Sequence, residues 1–414
     1  MPIREITLAH ADERDLTKLA EYQAVGGYKP LAKARKMKPE AVIEQLLASN
    51  LRGRGGAGFP MGRKASFLAK GTGKPTYLCV NADESEPGTF KDREIMLENP
   101  HRLIEGCLIT AHAIESTNVF IYLRGEYLDV FLVMRRALED ARKAGLLGDV
   151  TVVLHRGAGA YICGEESALL ESLEGKRGQP RPRPPFPAVS GLYGSPTLIN
   201  NVQTIATVPV IVEKGGEWYA KIGPEPSPGT VVFSLSGNVE RPGNYELALG
   251  SGLRELIFDL GGGIPGGREL KAIIPGGSST TVMTPDQLDT ALDFNSVAEA
   301  GSQLGAAAVI VIDDRACMVQ LALRSTQFYM HESCGKCTPC REGTYWIERS
   351  LRRFEEGGGR EEDLEIMVDV AGNIGGRSFC ALGDFATAPV TSTVKLWRDE
   401  YMAHIKNKGC PFDR

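Results

Sequence analysis

Four cysteines near the C-terminal end of the sequence have a spacing that suits metal chemistry. Cys334, Cys337 and Cys340 follow one another at intervals of three residues, and Cys380 lies forty positions further on. Thiolates at i, i+3 and i+6 converge on one small volume, and a fourth from a separate segment completes the ligand set of a [4Fe–4S] cluster. Zinc with four cysteine ligands is the alternative, although zinc sites more often use two separated C-x2-C pairs. The spacing favours a cluster, which transfers electrons.

The remaining five cysteines do not extend this motif. Cys79, Cys107, Cys163 and Cys317 lie in apolar or glycine-rich contexts, which are typical of buried free thiols. Cys410, four residues from the C-terminal end, has no interpretation from the sequence.

The composition is that of an ordinary soluble globular protein. Hydrophobic residues make up 42% and charged residues 24% of 414 residues, a length that accommodates two or three domains. The formal net charge of −5 argues against nucleic-acid binding. No apolar segment approaches the ~20 residues that a membrane span requires, and residues 1–5 do not begin a signal peptide. We therefore expect a cytoplasmic protein with no direct membrane insertion.

Two glycine-rich segments offer backbone N–H groups to a ligand. The first, residues 52–64, formally contains G-x-G-x-x-G, but it follows a predicted helix, whereas a dinucleotide fingerprint follows a strand. Its glycines alternate with cations, so we interpret it as a cradle for a phosphate and a flat ring rather than as a flexible hinge; the cations are Arg54, Arg63 and Lys64. The second, residues 156–170, follows a strand and opens a helix. The alternative is that Glu165 and Glu166 only stabilise the helix, since carboxylates are common in the first turn of a helix.

Alternating strands and helices predict an α/β domain with a parallel sheet in the first half of the chain. Residues 81–88 are polar and acidic, and they follow the first predicted strand. Open α/β sheets place ligand contacts there, although a solvated turn is the alternative. Residues 198–204 are predicted to start a helix with Asn201 as its cap, and a capped helix N-terminus is an anion site. The predicted strands are 76–80, 119–123 and 151–155, and further helices are predicted within 11–50 and over 105–113 and 126–144.

The fold class is α/β and α+β multidomain, with three predicted domains. Residues 1–223 form the α/β domain, with a helical part over 1–50, and the proline-rich residues 224–229 form a linker. Residues 230–313 form a small α+β module without a catalytic constellation, which we interpret as a spacer or docking domain. Residues 315–414 form a four-helix bundle that holds the cysteines between its loops. The predicted helices of this bundle are 315–331, 341–355, 361–373 and 383–405.

Four sequence blocks resemble the flavin- and NADH-binding subunit of respiratory complex I, NADH:quinone oxidoreductase. They are residues 52–60, 79–88, 157–166 and 332–343, and the resemblance covers essentially the whole chain in the right order. It implies a Rossmann-like flavin and NADH domain, a β-grasp-like (SLBB-type) second domain and a cluster-binding helical bundle. Diaphorase subunits of NAD-linked hydrogenases and formate dehydrogenases share these blocks. They often carry an extra thioredoxin-like or ferredoxin domain that this sequence lacks, which favours the complex I form.

The resemblance also implies which residues bind the cofactors. The expected FMN residues are Gly53, Arg54, Gly55, Gly56, Lys64, Asn81, Asp83, Ser85, Gly164, Glu165, Asn200, Asn201 and Thr204. The expected NADH residues are Phe59, Lys64, Phe67, Glu86, Glu166 and Phe186, of which the three aromatic rings sandwich the adenine. Glu86 is expected near the adenosine ribose, where a carboxylate accepts from a 2′-hydroxyl and repels a 2′-phosphate, so NADH is preferred over NADPH. Arg183 departs from the family, because some members have lysine there.

The function implied by the resemblance is electron input. Hydride passes from NADH to FMN without a catalytic side chain, and single electrons then reach the [4Fe–4S] cluster. The implied partners are a thioredoxin-like [2Fe–2S] subunit and a larger multi-cluster Fe–S subunit, in the peripheral arm on the cytoplasmic face of a membrane-bound complex. The alternatives are the diaphorase subunit of a hydrogenase or formate dehydrogenase, and a zinc-stapled binding scaffold without redox activity.

Overall fold

A four-stranded parallel sheet, in the order β3-β2-β1-β4, organises the first half of the chain. The computed structural model describes residues 6–412; residues 1–5, where the sequence predicts no signal peptide, and residues 413–414 lie outside it. The strands are β1 (Tyr77–Ala82), β2 (Asn118–Leu123), β3 (Thr151–Arg156) and β4 (Thr197–Asn201). The predicted parallel sheet is confirmed, but β4 corrects the prediction that residues 198–204 only start a helix. Those residues first pair with β1, and the helix begins at Val202.

Eleven helices of this region are described. They are α1 (Leu19–Ala24), α2 (Lys29–Ala34), α3 (Pro39–Ala48), α4 (Met61–Ser66), α5 (Lys91–Glu98), α6 (Pro100–Ala113), α7 (Leu128–Lys143), α8 (Glu166–Leu173), α9 (Pro187–Ser190), α10 (Val202–Lys214) and α11 (Gly216–Ala220). The buried helices α6 and α10 pack closely because Gly106 has no side chain. A Cβ at that position would lie 2.1 Å from the main-chain oxygen of Ile205.

The register of the sheet aligns the carboxyl ends of its strands. Leu78, Cys79 and Val80 of β1 are fully buried, as expected for a parallel strand covered on both faces. Asn81 lies opposite Tyr122 of β2 and Asn201 of β4. The segments that follow the four strands therefore meet along one edge, where open α/β sheets bind ligands.

A second sheet follows, in the order β6-β5-β8-β7, with one parallel pair, β5 and β8, between two antiparallel pairs. Its strands are β5 (Thr230–Gly237), β6 (Gly243–Ala248), β7 (Leu270–Ile274) and β8 (Ala308–Asp313), accompanied by α12 (Phe294–Glu299) and a π-helical turn over Glu255–Leu260. This mixed sheet confirms the predicted α+β character of the module.

The third region is helical. Its helices are α13 (Met318–Glu332), α14 (Thr338–Glu355), α15 (Glu361–Ile374), α16 (Leu382–Leu396) and α17 (Arg398–Asn407). The first four pack around a common core, as predicted, but the predicted helix 383–405 is two helices. The chain turns at Trp397, and the Tyr401 hydroxyl then lies 2.8 Å from Thr393 Oγ1. Tertiary packing decides this turn, since neither glycine nor proline marks it. Within residues 6–412, no helix combines the length and apolar character that a membrane crossing requires.

Candidate functional site

A small cavity in the third region is lined by all four cysteines of the predicted cluster site. The backbone N–H of Phe379 donates to Cys337 Sγ at 3.4 Å, which ties the Cys380 segment to the first three cysteines. Ser333 Oγ lies 3.2 Å from Cys340 Sγ. The lining residues include Cys334, Cys337, Cys340, Cys380, Ile162, Pro180 and Leu382. The structure thus brings together the four cysteines that the sequence predicts.

The cysteine thiols of this cavity would ionise only beside a positive charge such as a metal centre. Burial, together with the neighbouring thiols of Cys334 and Cys340, raises the pKa of Cys380 to about 12. Burial also raises the pKa of Cys340. Four thiolates gathered in so apolar a place are stable only when bound to a metal centre.

The spread of the four sulfur atoms distinguishes a cluster from a single ion. Residues 6–412 contain one group of three or more Cys, His, Asp or Glu ligand atoms that all lie within 4.8 Å of one another. That group lies elsewhere in the bundle and includes none of the four predicted cluster cysteines. Sulfurs bound to one zinc ion would be that close, whereas each sulfur of a [4Fe–4S] site binds a different iron. The cavity therefore fits a cluster rather than zinc.

The first glycine-rich segment is a closed turn and not a hinge. Arg52 and Pro60 form an antiparallel bridge at its base, and Gly53 N donates to Phe59 O at 3.0 Å. The turn reaches the carboxyl end of β4, because Arg54 N donates to Thr204 Oγ1 at 2.9 Å. A Cβ on Gly55 would lie 3.0 Å from the Cβ of Asn201. Glycine is thus required for this close approach to the sheet edge.

The side chain of Arg54, which the sequence predicts as a phosphate-binding cation, is buried next to the glycine turn, and the residue is 2% exposed. Its guanidinium donates to the main-chain oxygens of Thr230, at 3.0 Å, and Pro228, at 2.9 Å. These carbonyls lie where the first region joins the second, so the Arg54 guanidinium makes hydrogen bonds that connect the two regions. Arg54 Nη1 is buried without a hydrogen-bond partner among residues 6–412, so the contact of this side chain with a phosphate stays a prediction.

Buried polar atoms without partners lie at the carboxyl edge of the parallel sheet. Asp83 Oδ2 and Asn200 Nδ2 are buried and have no hydrogen-bond partner in the described part of the protein. Ser85 Oγ donates to the other Asp83 oxygen at 3.0 Å, and Asn81 Nδ2 donates to Gly164 O at 2.8 Å. Buried polar groups are almost always paired, so these two atoms indicate a ligand with polar edges. A flavin ring and its ribityl chain fit that requirement.

Burial raises the pKa of Asp83 to about 7, against the opposing hydrogen bond from Ser85. Near neutral pH this carboxyl group can therefore donate or accept a hydrogen bond. The alternative of a solvated turn over residues 81–88 is not observed, because Asp83 and Glu84 are buried.

The predicted cap of α10 is confirmed. Asn201 Oδ1 accepts from Gln203 N at 2.9 Å and from Thr204 N at 3.4 Å, while its Nδ2 donates to Asp92 at 2.5 Å. Similarly, Glu165 caps α8 by accepting from Ser167 N and Ala168 N. Both side chains are thus held in place by the protein itself at the edge of the cradle.

Gly164 provides a test of the flavin cradle. A Cβ there would lie 3.7 Å from Asp83 O and 3.8 Å from Asp83 Oδ2, which are ordinary contacts. We expect Gly164→Ala to fold normally and to lower FMN occupancy at least roughly fivefold, because the methyl group fills space beside the unpartnered carboxylate oxygen. Absorbance at the flavin maximum per mole of protein measures this. Gly372→Ala is the matched control, since nothing lies within 4 Å of its Cβ position in α15. Full occupancy in Gly164→Ala would remove Gly164 from the cradle.

The predicted nucleotide residues fall into two groups beside this cradle. Phe59 and Phe67 are exposed with ring centroids 6.3 Å apart, and Phe186 is also exposed at 56%. These exposed aromatic faces are available for stacking on a base. Lys64 Nζ, on α4, lies 2.6 Å from Glu166 Oε2.

Arg183 completes a charged group with Lys64, Glu165 and Glu166. Its guanidinium pairs with Glu165 and lies 3.3 Å from Glu166 Oε1. Burial acts to raise the pKa of Glu166, but the charges of Lys64 and Arg183 hold it below its usual value. Arginine at this position therefore keeps a role in the site as a partner of two carboxylates.

Glu86 is held between two regions of the protein. Its carboxylate accepts from the Tyr161 hydroxyl and from Ser279 N, each at 2.7 Å, and burial raises its pKa. Ser279 follows β7 in the second region, so that region contacts the carboxylate that is predicted to bind the ribose. Sequence reasoning missed both Tyr161 and Ser279. The Gly276–Ser279 turn at the carboxyl end of a strand was the available signal.

One loop connects the flavin cradle with the cysteine cavity. Gly164 accepts from Asn81 on the cradle side, while Ile162 lines the cysteine cavity. Two residues span at most about 7 Å, so the two sites are adjacent. Tyr161 N also donates to Glu332 Oε2 at 3.0 Å, immediately before the cysteine motif.

Comparison with known proteins agrees with this geometry. The family described as "Nuo51 FMN-binding domain" matches residues 46–210, and the "NADH-ubiquinone oxidoreductase-F iron-sulfur binding region" matches residues 320–404. The F subunit of the NADH-quinone oxidoreductase of Streptomyces coelicolor is 53% identical, over 97% of this chain and 91% of the relative. The chain belongs to the family of NADH-quinone oxidoreductase F subunits.

Further relatives extend the comparison. The F subunit of the Mycobacterium bovis NADH-quinone oxidoreductase is 52% identical, over 100% of this chain and 96% of the relative. Residues 232–282 match the SLBB domain. A crystal structure of an NAD+-reducing [NiFe]-hydrogenase in the H2-reduced state superposes with a TM-score of 0.86 at 34% identity, over 99% of this chain and 68% of the other. The family resemblance, the fold class and the cofactors FMN and [4Fe–4S] are thereby confirmed.

Proposed function

We propose that this chain is the electron-input subunit of an NADH-quinone oxidoreductase, where NADH is oxidised on FMN and electrons leave through the cysteine site. The observation that carries the proposal is the loop from Gly157 to Glu165, which borders the flavin cradle and the cysteine cavity at once. When bound, FMN supplies a hydride acceptor that releases electrons singly, and the [4Fe–4S] cluster supplies the one-electron exit.

The protein's own groups bind and orient the cofactors. In the proposed site, Asp83 and Asn200 offer the unpartnered polar atoms for the flavin. The glycine turn of residues 53–58 approaches the same sheet edge without side chains in the way. Hydride transfer between stacked rings requires orientation and exclusion of water rather than an acid or base, which agrees with the absence of a nucleophile–base pair from the proposed roles.

The nucleotide residues are proposed to act by stacking and by charge. Phe59, Phe67 and Phe186 offer faces for the adenine, and Lys64 sits beside Glu166 at the junction with the cradle. Glu86 is proposed to accept from the adenosine ribose. Its donors, the Tyr161 hydroxyl, Ser279 N and the Ser278 hydroxyl, hold the carboxylate in one orientation, which favours selection between a hydroxyl and a phosphate.

The partner subunits are those of the same oxidoreductase complex. We propose a thioredoxin-like [2Fe–2S] subunit and a larger multi-cluster Fe–S subunit among them, because this chain has one cysteine cluster motif and its electrons need an acceptor. We further propose that the chain lies in the peripheral arm on the cytoplasmic face. The hydrogenase alternative is not favoured, since relatives near 52% identity carry the quinone oxidoreductase name whereas the hydrogenase match has 34%.

The function is tested on the purified full chain. We expect yellow-brown protein that contains about four iron atoms, releases FMN on denaturation and reduces ferricyanide with NADH. Protein without FMN and iron after anaerobic reconstitution would contradict the proposal. It would instead support a non-redox scaffold.

Replacement of Glu86 by glutamine tests the choice of nucleotide. The amide oxygen can still accept from Ser279 N, and the Tyr161 hydroxyl can accept from the new amide, so the fold is retained. Loss of the negative charge removes repulsion of a 2′-phosphate, so we expect the ratio of kcat/KM for NADPH to that for NADH to rise about tenfold. Steady-state ferricyanide reduction measures the ratio, and Glu139→Gln on the exposed face of α7 is the control. An unchanged ratio removes Glu86 from the ribose site.

A further inference from the structure

A second group of metal-ligand side chains lies in the helical bundle, away from the cluster cysteines. Cys317, Glu355, His404 and Cys410 each contribute one potential ligand atom, and these atoms all lie within 4.8 Å of one another. The group assembles from α13, α14, α17 and the segment after α17. It includes Cys410, for which the sequence offered no interpretation.

The separations suit four ligands around one ion. Cys317 Sγ lies 3.4 Å from His404 Nε2 and 3.7 Å from Glu355 Oε1, and the last two atoms are 3.1 Å apart. Tetrahedral zinc, with Zn–S near 2.3 Å and Zn–N or Zn–O near 2.0–2.1 Å, separates neighbouring ligand atoms by roughly 3.3–3.8 Å. The two distances from Cys317 Sγ fall within that range, and the 3.1 Å between His404 Nε2 and Glu355 Oε1 is slightly shorter than it.

A second observation concerns the orientation of His404, which is fully buried. Its Nδ1 lies 2.7 Å from the main-chain oxygen of Glu400, so Nδ1 carries the proton and donates to that carbonyl. The Nε2 lone pair then points to the two neighbouring ligand atoms. A backbone acceptor on the distal nitrogen is the usual arrangement for a metal-binding histidine.

The backbone is shaped to bring the last ligand into place. Lys408 adopts a left-handed conformation, with φ 52°, at the end of α17. The turn that follows packs on Gly357, where a Cβ would lie 2.2 Å from Lys408 O. Glycine at this position lets the C-terminal segment close against the end of α14, which places Cys410 beside Glu355.

A buried ion pair is the alternative explanation of these contacts. An imidazolium between Glu400 O and Glu355 would account for His404. It would not account for two cysteine sulfurs directed at the same point.

We propose that Cys317, Glu355, His404 and Cys410 form a structural zinc site. Two thiolates with an imidazole and a carboxylate favour zinc over harder cations, and a closed set of four protein ligands leaves no position for a substrate. Binding releases the two thiol protons and joins the ends of three helices to the C-terminal segment. Zinc has no redox chemistry, so the site stabilises the bundle and does not carry electrons.

The position in the bundle agrees with this role. Cys317 begins α13, and Cys334 follows the other end of that helix. A helix of 15 residues is about 22 Å long, so zinc and the cluster close opposite ends of the bundle.

The test measures metals in the full chain loaded with FMN and cluster, after expression with Zn²⁺ and dialysis against a weak chelator. We expect about one zinc per chain in addition to about four iron atoms, with sulfur and nitrogen or oxygen ligands at the zinc X-ray absorption edge. Cys410→Ser should lower zinc at least tenfold and leave iron, FMN and ferricyanide reduction at 25 °C unchanged. Cys107→Ala, a buried thiol in α6, is the control that retains zinc.

A second variant distinguishes zinc at the proposed site from zinc that binds wrongly in the cluster cavity. In Cys380→Ala the iron is lost, and zinc at the proposed site should stay at about one per chain. The proposal is overturned if the wild-type chain neither contains nor takes up Zn²⁺, if Cys410→Ser retains it, or if Cys317 and Cys410 form a disulfide in metal-free protein. None of these outcomes bears on NADH oxidation, so the proposed function is tested separately.

Discussion

Cys380→Ala should abolish the EPR signal of the [4Fe–4S] cluster while FMN stays bound. Cys380 is the one ligand that comes from outside the 334–340 segment, and its thiol completes the lining of the cavity. Three thiolates leave one iron without a protein ligand, which opens the cluster to solvent and to loss of iron. The flavin cradle is built on the edge of the parallel sheet, so it does not depend on this ligand.

The measurement combines EPR of the reduced protein, iron analysis and two activities. Iron should fall from about four to below about one per chain, and ferricyanide reduction, which takes electrons from the flavin, should stay within about twofold. Electron delivery to the partner subunits should fall below roughly one hundredth of the wild-type rate. Cys107→Ala, which removes a buried thiol in α6, should change neither activity. A normal signal from a four-cysteine cluster in Cys380→Ala would refute Cys380 as the fourth ligand.

Glu84→Ala should destabilise the protein and lower FMN affinity together. Glu84 is buried directly after Asp83, and its carboxylate accepts from Asp92 N and Arg93 N at 2.8 Å each. These N–H groups belong to the first turn of α5, whose own N-cap residue, Phe90, makes no side-chain cap. Glu84 thus caps α5 from another segment, and it also accepts from the Tyr127 hydroxyl at 3.0 Å.

Removal of this carboxylate leaves up to four donors unpaired in a buried place, since the Thr89 hydroxyl also donates to Glu84 Oε1 at 3.3 Å. At about 1–3 kcal/mol for each unsatisfied group, with partial relief by water, we expect a loss of about 3 kcal/mol in the free energy of unfolding. The loop that carries Asp83 and Ser85 loses its anchor, so FMN should dissociate more readily. Urea unfolding followed by circular dichroism measures the first effect, and flavin fluorescence on dilution measures the second.

Glu139→Ala on α7 is the control for this variant, because that side chain is exposed. A midpoint shift in Glu84→Ala no larger than that of the control would show that Glu84 does not anchor the loop. Reduced FMN affinity with unchanged stability would instead indicate that Glu84 contacts the flavin directly.

Much of the site was predictable because its signals are local. The i, i+3, i+6 cysteine spacing, the glycine-rich turn and the buried apolar strand before Asn81 each lie within one short segment. The preference of asparagine for the N-cap of a helix is also a local signal. The side chain of Asn201 accepts from two N–H groups of the first turn of α10, as expected for such a cap. Backbone geometry and side-chain chemistry act over a few residues there, so the sequence is sufficient.

Contacts between distant segments were decided by tertiary structure alone. The sequence predicts Arg54 as a cation for a phosphate, and only the structure shows that its guanidinium also donates to carbonyls at residues 228 and 230. Residues 197–201 became a strand because β1 offered an unpaired edge, and Trp397 became a turn because Tyr401 packs back on the bundle. The partners of Arg54 and of β4 are more than 100 residues away in sequence, whereas the contact of Tyr401 with Thr393 spans eight residues.

By itself, the sequence therefore determined the family, the cofactor chemistry and which four cysteines meet in one cavity, since these depend mainly on residue types at short spacing. Only the tertiary structure placed Ile162 and Gly164 of one loop against the two sites, directed Glu86 between Tyr161 and Ser279, and gathered Cys317 and Cys410 around His404. The physical reason is that burial and hydrogen-bond partners are properties of the packed chain, and no local pattern encodes which distant groups will meet.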